Sequence, residues 1–240
     1  MHKKPKDKFV DKADKFNYYL TRVIRLLLIS SFVLGIYNQR WMAVFVSFLT
    51  FVMTFIPQIV QKKYRINLPG EFQVIIVLFI YAGIYLGEVR DFYHRFWWWD
   101  SMLHAFSGVA LGFAGFLILY SLYKTERLHA RPLLIVVFTF FFSLGLGATW
   151  EIFEFGMDSI FGLDMQKARN LEETYGYFDT RLGVLDTMYD LILDAIGALV
   201  ASISGYIYLK KGEVMLFDRL IKRFESRNQH LFKKYKPIKK

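Results

Sequence analysis

Runs of apolar residues separated by short polar segments dominate this chain. Residues 41–57 and 133–150 contain no Asp, Glu, Lys or Arg. Folded as an α-helix rising ~1.5 Å per residue, either run covers most of the ~30 Å hydrocarbon core of a bilayer. Comparable runs recur, and the pattern predicts six helical spans at about 18–37, 41–60, 72–89, 101–123, 132–155 and 187–209. One such run fits a buried core helix, but six in 240 residues leave too little polar chain to cover them. The predicted fold class is an all-α integral membrane protein with six transmembrane helices.

Turn residues agree with that layout. Asn67, Pro69 and Gly70 bring the chain into the third span, and Pro132 stands in the first turn of the fifth, where its missing N–H costs nothing. Trp97, Trp98 and Trp99 precede the fourth span and suit an interfacial aromatic belt. The first span is the least apolar, since it contains Arg22 and Arg25, which are expected to snorkel toward the inner headgroups. Charge placement retains it all the same. With six spans and both termini in the cytoplasm, the inner segments hold 25 of the 31 Lys and Arg residues and the outer segments six. Dropping the first span would put the Lys-rich leader outside, against the positive-inside rule.

The expected organisation is a basic cytoplasmic leader over 1–22, a six-helix transmembrane domain over 23–209 and a basic amphipathic cytoplasmic tail over 210–240. In the tail Phe217, Leu220, Ile221 and Phe224 recur at helical spacing among Lys222, Arg223 and Arg227, the pattern of a helix lying on the inner membrane surface.

Composition narrows the function classes. Hydrophobic residues make up 55% and the mean hydropathy is +0.28, in keeping with a membrane protein. The net charge of +10 gathers at the chain ends beside apolar spans, which points to anionic lipid at the termini and not to nucleic acid. The absence of cysteine excludes disulfides, thiolate metal sites and cysteine nucleophiles. The leader lacks a small-residue cleavage pattern, and no P-loop, dinucleotide fingerprint or serine nucleophile elbow is present.

The acids carry the chemistry. Asp100 and His104 are four apart and share a face at the outer start of span four. Glu151 and Glu154 are three apart toward the outer end of span five, with Asp158 one turn on. Asp186, Asp190 and Asp194 run at four-residue steps down one face of span six. Three helices therefore present acids at one membrane level. Asp100 and Asp186, each taken alone, fit N-caps, and His104 alone fits a packing residue beside Gly108 and Gly112, with Gly197 and Gly205 as further close-contact positions. Glu151 and Glu154 resist that treatment, because a helix C-terminus disfavours anions. Asp194 resists most: an ionised Asp near a span centre costs about 2.5–3.5 kcal/mol on insertion scales. Its neutralisation calls for His104, a proton, a bound cation or an arginine folding in from an outer loop.

Three motifs carry a resemblance: Asp100-x-x-x-His104 in a Gly-rich span, Glu151-x-x-Glu154 followed by an aromatic, and Asp186-Thr187-x-x-Asp190 leading to Gly197-Ala198. Together, over about 97–205, they resemble the YjdF-like family of predicted bacterial inner-membrane proteins and, more distantly, the VanZ-like superfamily. Asp194 departs from both patterns, which would carry a small apolar residue or an Asn there. The resemblance implies a fold and a site, but no established reaction.

The expected function is that of a membrane enzyme using a divalent cation at the outer leaflet on a lipid or lipid-linked phosphate, in a bacterial inner membrane. Oxygen ligands with one imidazole suit Mg²⁺ or Mn²⁺ better than Zn²⁺. Glu151, Glu154, Asp186 and Asp190 are the expected metal ligands, and Asp100 orients His104 as ligand or general base. Asp194 and Asp158 are candidate proton-relay groups or secondary ligands, and Arg169 and Arg181 candidate phosphate clamps. The alternatives are a proton- or cation-coupled carrier using the same acids, and a non-catalytic envelope or resistance factor.

Overall fold

The computed structural model describes residues 8–162, 164–168, 172–173, 176, 181–212 and 217–233. Among them there is no strand, and six helical stretches are long and apolar enough to span a membrane: Asp14–Tyr37, Trp41–Tyr64, Gly70–Val89, Trp99–Lys124, Pro132–Phe161 and Leu182–Lys211. The all-α, six-span class expected from the hydrophobic pattern is thus present. The chain forms two compact units, one made of Met1–Phe96 with Lys222–Gln229 and the other of Trp97–Ile221 with His230–Lys240.

The first unit contains α1 (Lys8–Tyr37), α2 (Trp41–Met53), α3 (Ile56–Tyr64), α4 (Gly70–Ile80) and α5 (Phe92–Arg95). Its core is Ile24, Leu28, Val77 and Tyr85, with Leu20, Phe51 and Tyr81 packed around them. The second span is not continuous. Pro57 stands at the start of α3 and lacks the N–H that would carry the helix through. Thr54 is buried at the break and meets Arg25 there: Nε donates to Thr54 Oγ1 at 2.9 Å, Nη2 to Thr54 O at 3.2 Å, and the guanidinium lies 3.7 Å from the centre of the Phe55 ring. Snorkelling of Arg25 is therefore replaced by a protein partner inside the unit. Beyond α4 the third span widens into a π-helix over Tyr81–Val89. There Tyr93 donates to Gly83 O at 2.9 Å, and its ring fills the space beside Gly87.

The second unit is built on α6 (Trp99–Lys124), α7 (Pro132–Phe161) and α8 (Leu182–Lys211). α8 shows how a membrane inverts the usual amphipathic logic. Its outward face carries Tyr189, Ile192, Ile196, Leu199 and Ile203, all exposed, while Asp190, Asp194, Gly197, Ala201 and Gly205 are buried. Small residues let the backbones meet. A Cβ on Gly197 would stand 2.4 Å from Ala105 O, and one on Gly112 would stand 2.7 Å from the Ala201 Cβ.

The tail forms α9 (Asp218–Arg227), but its apolar side faces protein. Phe217, Ile221 and Phe224 are buried, and Phe217 stacks on Phe113 at 4.5 Å. Within the first unit, Arg223 pairs with Glu71 and Arg227 with Asp14, while the buried Asn228 accepts from Asn67 N at 2.6 Å and donates to Asn67 O at 2.9 Å. This corrects the expectation of a helix lying in the lipid surface: the apolar stripe that suggested lipid is covered by the protein's own residues.

Candidate functional site

The acids of α6, α7 and α8 meet inside the second unit, around one imidazole. His104 Nε2 lies 3.9 Å from Asp100 Oδ1, 3.8 Å from Glu151 Oε1 and 3.8 Å from Asp190 Oδ2. One nitrogen thus faces three carboxylate oxygens from three helices, each too far for a direct hydrogen bond and close enough for one cation, at ~2.0–2.2 Å from each donor, to bridge them. Ligand atoms of Asp100, His104 and Asp190 all lie within 4.8 Å of one another. Both oxygens of Glu151, which is 4% exposed, and Oδ2 of Asp190, 3% exposed, find no hydrogen-bond partner among the described residues. Thr187 stands beside Glu151 without closing a hydrogen bond of good geometry.

The other imidazole nitrogen is held from below. Asp194 Oδ2 lies 3.3 Å from His104 Nδ1, and Ser107 Oγ donates to Asp194 Oδ1 at 2.6 Å. When Nδ1 carries a proton toward Asp194, Nε2 faces the three carboxylates, as a donor in the imidazolium or as a lone pair in the neutral ring. Asp100, expected to orient His104, lies 3.9 Å from Nε2, and the nearer carboxylate is that of Asp194 on Nδ1. Asp194 is 1% exposed and lies in a notch that two glycines create. A Cβ on Gly147 of α7 would stand 2.2 Å from its Oδ2, and one on Gly108 of α6 would stand 2.4 Å from its backbone O. Ser143 of α7 donates to Gly108 O at 2.8 Å and ties those two helices at the same level.

Helix boundaries dispose of the simpler explanations. α7 continues to Phe161, so Glu151 and Glu154 lie two to three turns before its end and not in a last turn. α8 begins at Leu182, five residues earlier than expected, so Asp186 sits in its second turn and cannot be its N-cap. Trp98 occupies the N-cap position of α6, and Asp100 follows in the first turn.

A lysine, outside the set of His104, a proton, a cation or an outer-loop arginine expected for Asp194, brings a counter-charge to Asp100. Lys167, in the segment between α7 and α8, donates to Asp100 Oδ2 at 2.8 Å and to Met165 O at 3.1 Å. Burial alone would lower its pKa, but Asp100 and Asp186, with Glu154 behind them, more than reverse that and hold it above the ordinary lysine value. Asp158 is not among the clustered acids. Its carboxylate accepts from Met165 N at 2.7 Å and Gln166 N at 2.9 Å, and Gln166 Nε2 reaches Thr187 Oγ1 at 3.0 Å, which fixes the segment that carries Lys167. Glu154 is buried and accepts from the Trp150 indole at 2.8 Å. Arg181 stands exposed at the N-cap of α8, and Arg169 lies outside the described residues. Lys167, Ser107 and Gly147 carried no signal readable from spacing, because each is brought in by a helix or segment far from its partner in sequence.

A family model described as "Predicted membrane protein (DUF2238)" matches residues 19–211, which run from within the first span to the end of the sixth and include every clustered acid. The chain belongs to this family. A relative from Thermotoga maritima, described as an uncharacterised protein, is 24% identical over 192 residues, covering 80% of this chain and 90% of that one. No solved structure matches. Membership places this chain among membrane proteins.

Proposed function

We propose that this protein is a divalent-cation-dependent membrane enzyme whose α6–α7–α8 site acts on a lipid or lipid-linked phosphate. One observation carries the reading: His104 Nε2 stands 3.8–3.9 Å from three carboxylate oxygens of three different helices. Six carboxylates gather around one lysine and one imidazole, so a buried site at neutral pH calls for further positive charge, as protons or as a cation. The unpartnered oxygens of Glu151 favour a cation.

Asp100, His104, Glu151 and Asp190 are the residues that would hold it. An oxygen-rich set with one imidazole suits Mn²⁺ or Mg²⁺. Such an ion, when bound, neutralises charge on a phosphoryl oxygen. Lys167 and the exposed Arg181 add the positive charge that draws an anionic headgroup toward the site. With the termini inside, the site lies on the outer-leaflet side of a bacterial inner membrane. The resemblance to YjdF-like and VanZ-like proteins contributes no reaction to this reading.

The test begins with metal. Detergent-purified protein equilibrated with Mn²⁺ and desalted should retain the ion, and Glu151→Gln with Asp190→Asn should lose it. Retention should coincide with Mn²⁺-dependent release of phosphate from a panel of lipid phosphates. Wild-type protein that retains no Mn²⁺ would sink the enzyme reading. A pH-driven flux in proteoliposomes would then favour the coupled carrier, which uses the Asp194–His104 pair as a proton site.

A further inference from the structure

We propose that Lys167 is a resident second cation, whose ammonium fills the position beside Asp100, Asp186 and Glu154 that a second divalent ion would otherwise take. The inference rests on the metal-binding reading above and goes beyond it in setting the number of ions.

Asp100 carries the argument. Its two oxygens serve two different positions: Oδ1 faces His104 Nε2 at 3.9 Å, and Oδ2 holds Lys167 Nζ at 2.8 Å. A carboxylate shared in this way is the usual bridge of a two-metal site, where the ions lie about 3.5–4 Å apart. On the Lys167 side, Asp186 and Glu154 add their fields to that of Asp100. Oδ2 of Asp186 is buried without a hydrogen-bond partner among the described residues. These are the donors a hard cation takes, and here an ammonium held on Asp100 Oδ2 supplies the positive charge they feel.

The lysine is built into this place. Its side chain is 12% exposed, and its backbone turns through the left-handed region at φ 52°. Asp158 holds the N–H groups of Met165 and Gln166 just before it, and Gln166 anchors the segment on Thr187 of α8. A lysine only guarding a solvent-facing carboxylate would need none of these anchors. The consequence is a site with two adjacent positive centres at the cost of one bound ion, both able to meet the oxygens of a phosphoryl group.

The experiment counts ions. Purified wild type, Lys167→Ala and Lys167→Arg are equilibrated with Mn²⁺, desalted, and read by elemental analysis and electron paramagnetic resonance. The expected result is one Mn²⁺ per chain in wild type and Lys167→Arg, and two in Lys167→Ala with the broadened signal of ions sharing a carboxylate. Lys167→Gln carries the same count should the alanine variant fail to fold. One ion in wild type and one in the neutral variants overturns this inference and leaves the metal site standing, as does a wild type holding two. No ion in wild type but one in Lys167→Ala sustains the role of the lysine and overturns the native metal site. No ion in any of them overturns both.

Discussion

His104 and Asp194 hold each other in the middle of the second unit, Nδ1 to Oδ2 at 3.3 Å, with Ser107 closing the other Asp194 oxygen at 2.6 Å. The pair links α6 to α8 and turns the second imidazole nitrogen toward Asp100, Glu151 and Asp190. Both partners are buried, so each removes from the other the cost of an unpaired polar group.

If Asp194 acts by orienting a metal ligand, Asp194→Ala should weaken Mn²⁺ binding by about 10–100-fold, as loss of such a partner usually does. Asp194→Asn should keep most of the affinity, because an amide oxygen still accepts the Nδ1 proton. Asp190→Asn should abolish bound metal and activity together. Titration calorimetry on the three variants separates the cases. A carrier gives the reverse order, with Asp194→Asn stopping coupled flux and Asp190→Asn mattering less.

Gly147 makes the seat for Asp194. Gly147→Ala places a methyl group 2.2 Å from Oδ2, and overpacking of this kind costs about 1–3 kcal/mol. The variant should melt earlier in detergent and lose Mn²⁺ affinity with the displaced carboxylate. Gly145→Ala is the control: it lies on the same helix, and a Cβ there meets nothing within 4 Å, so stability should hold or rise slightly. Equal loss in both variants would count against the seat.

With no native cysteine, topology is open to single-cysteine labelling. A cysteine at Gly176, between α7 and α8, should react with a membrane-impermeant maleimide on intact cells. One at Lys240 should react only after lysis. Labelling of Lys240 from outside would reject the cytoplasmic termini and with them the outer-leaflet placement of the site.

The number and approximate limits of the six spans were legible in the sequence because they rest on one-dimensional quantities, run length and charge. The convergence of Asp100, His104, Glu151 and Asp190 was legible too, since helical spacing puts each on a definite face. The ends were less so. α7 and α8 extend past the apolar runs, because a helix propagates on backbone hydrogen bonds and does not stop where hydropathy does. The tail misled for a related reason: an apolar stripe such as Phe217, Ile221 and Phe224 is the same whether lipid or protein covers it.

What the sequence determined by itself is which residues are costly in a bilayer and therefore need a partner. Which partner each received was decided only by tertiary structure. Asp194 took His104 and Ser107, Asp100 took Lys167, and Arg25 took Thr54. A hydrogen bond depends on distances of a few tenths of an ångström between atoms up to 90 residues apart. Those distances follow from how closely two glycines let three backbones approach, which no reading of order along the chain contains.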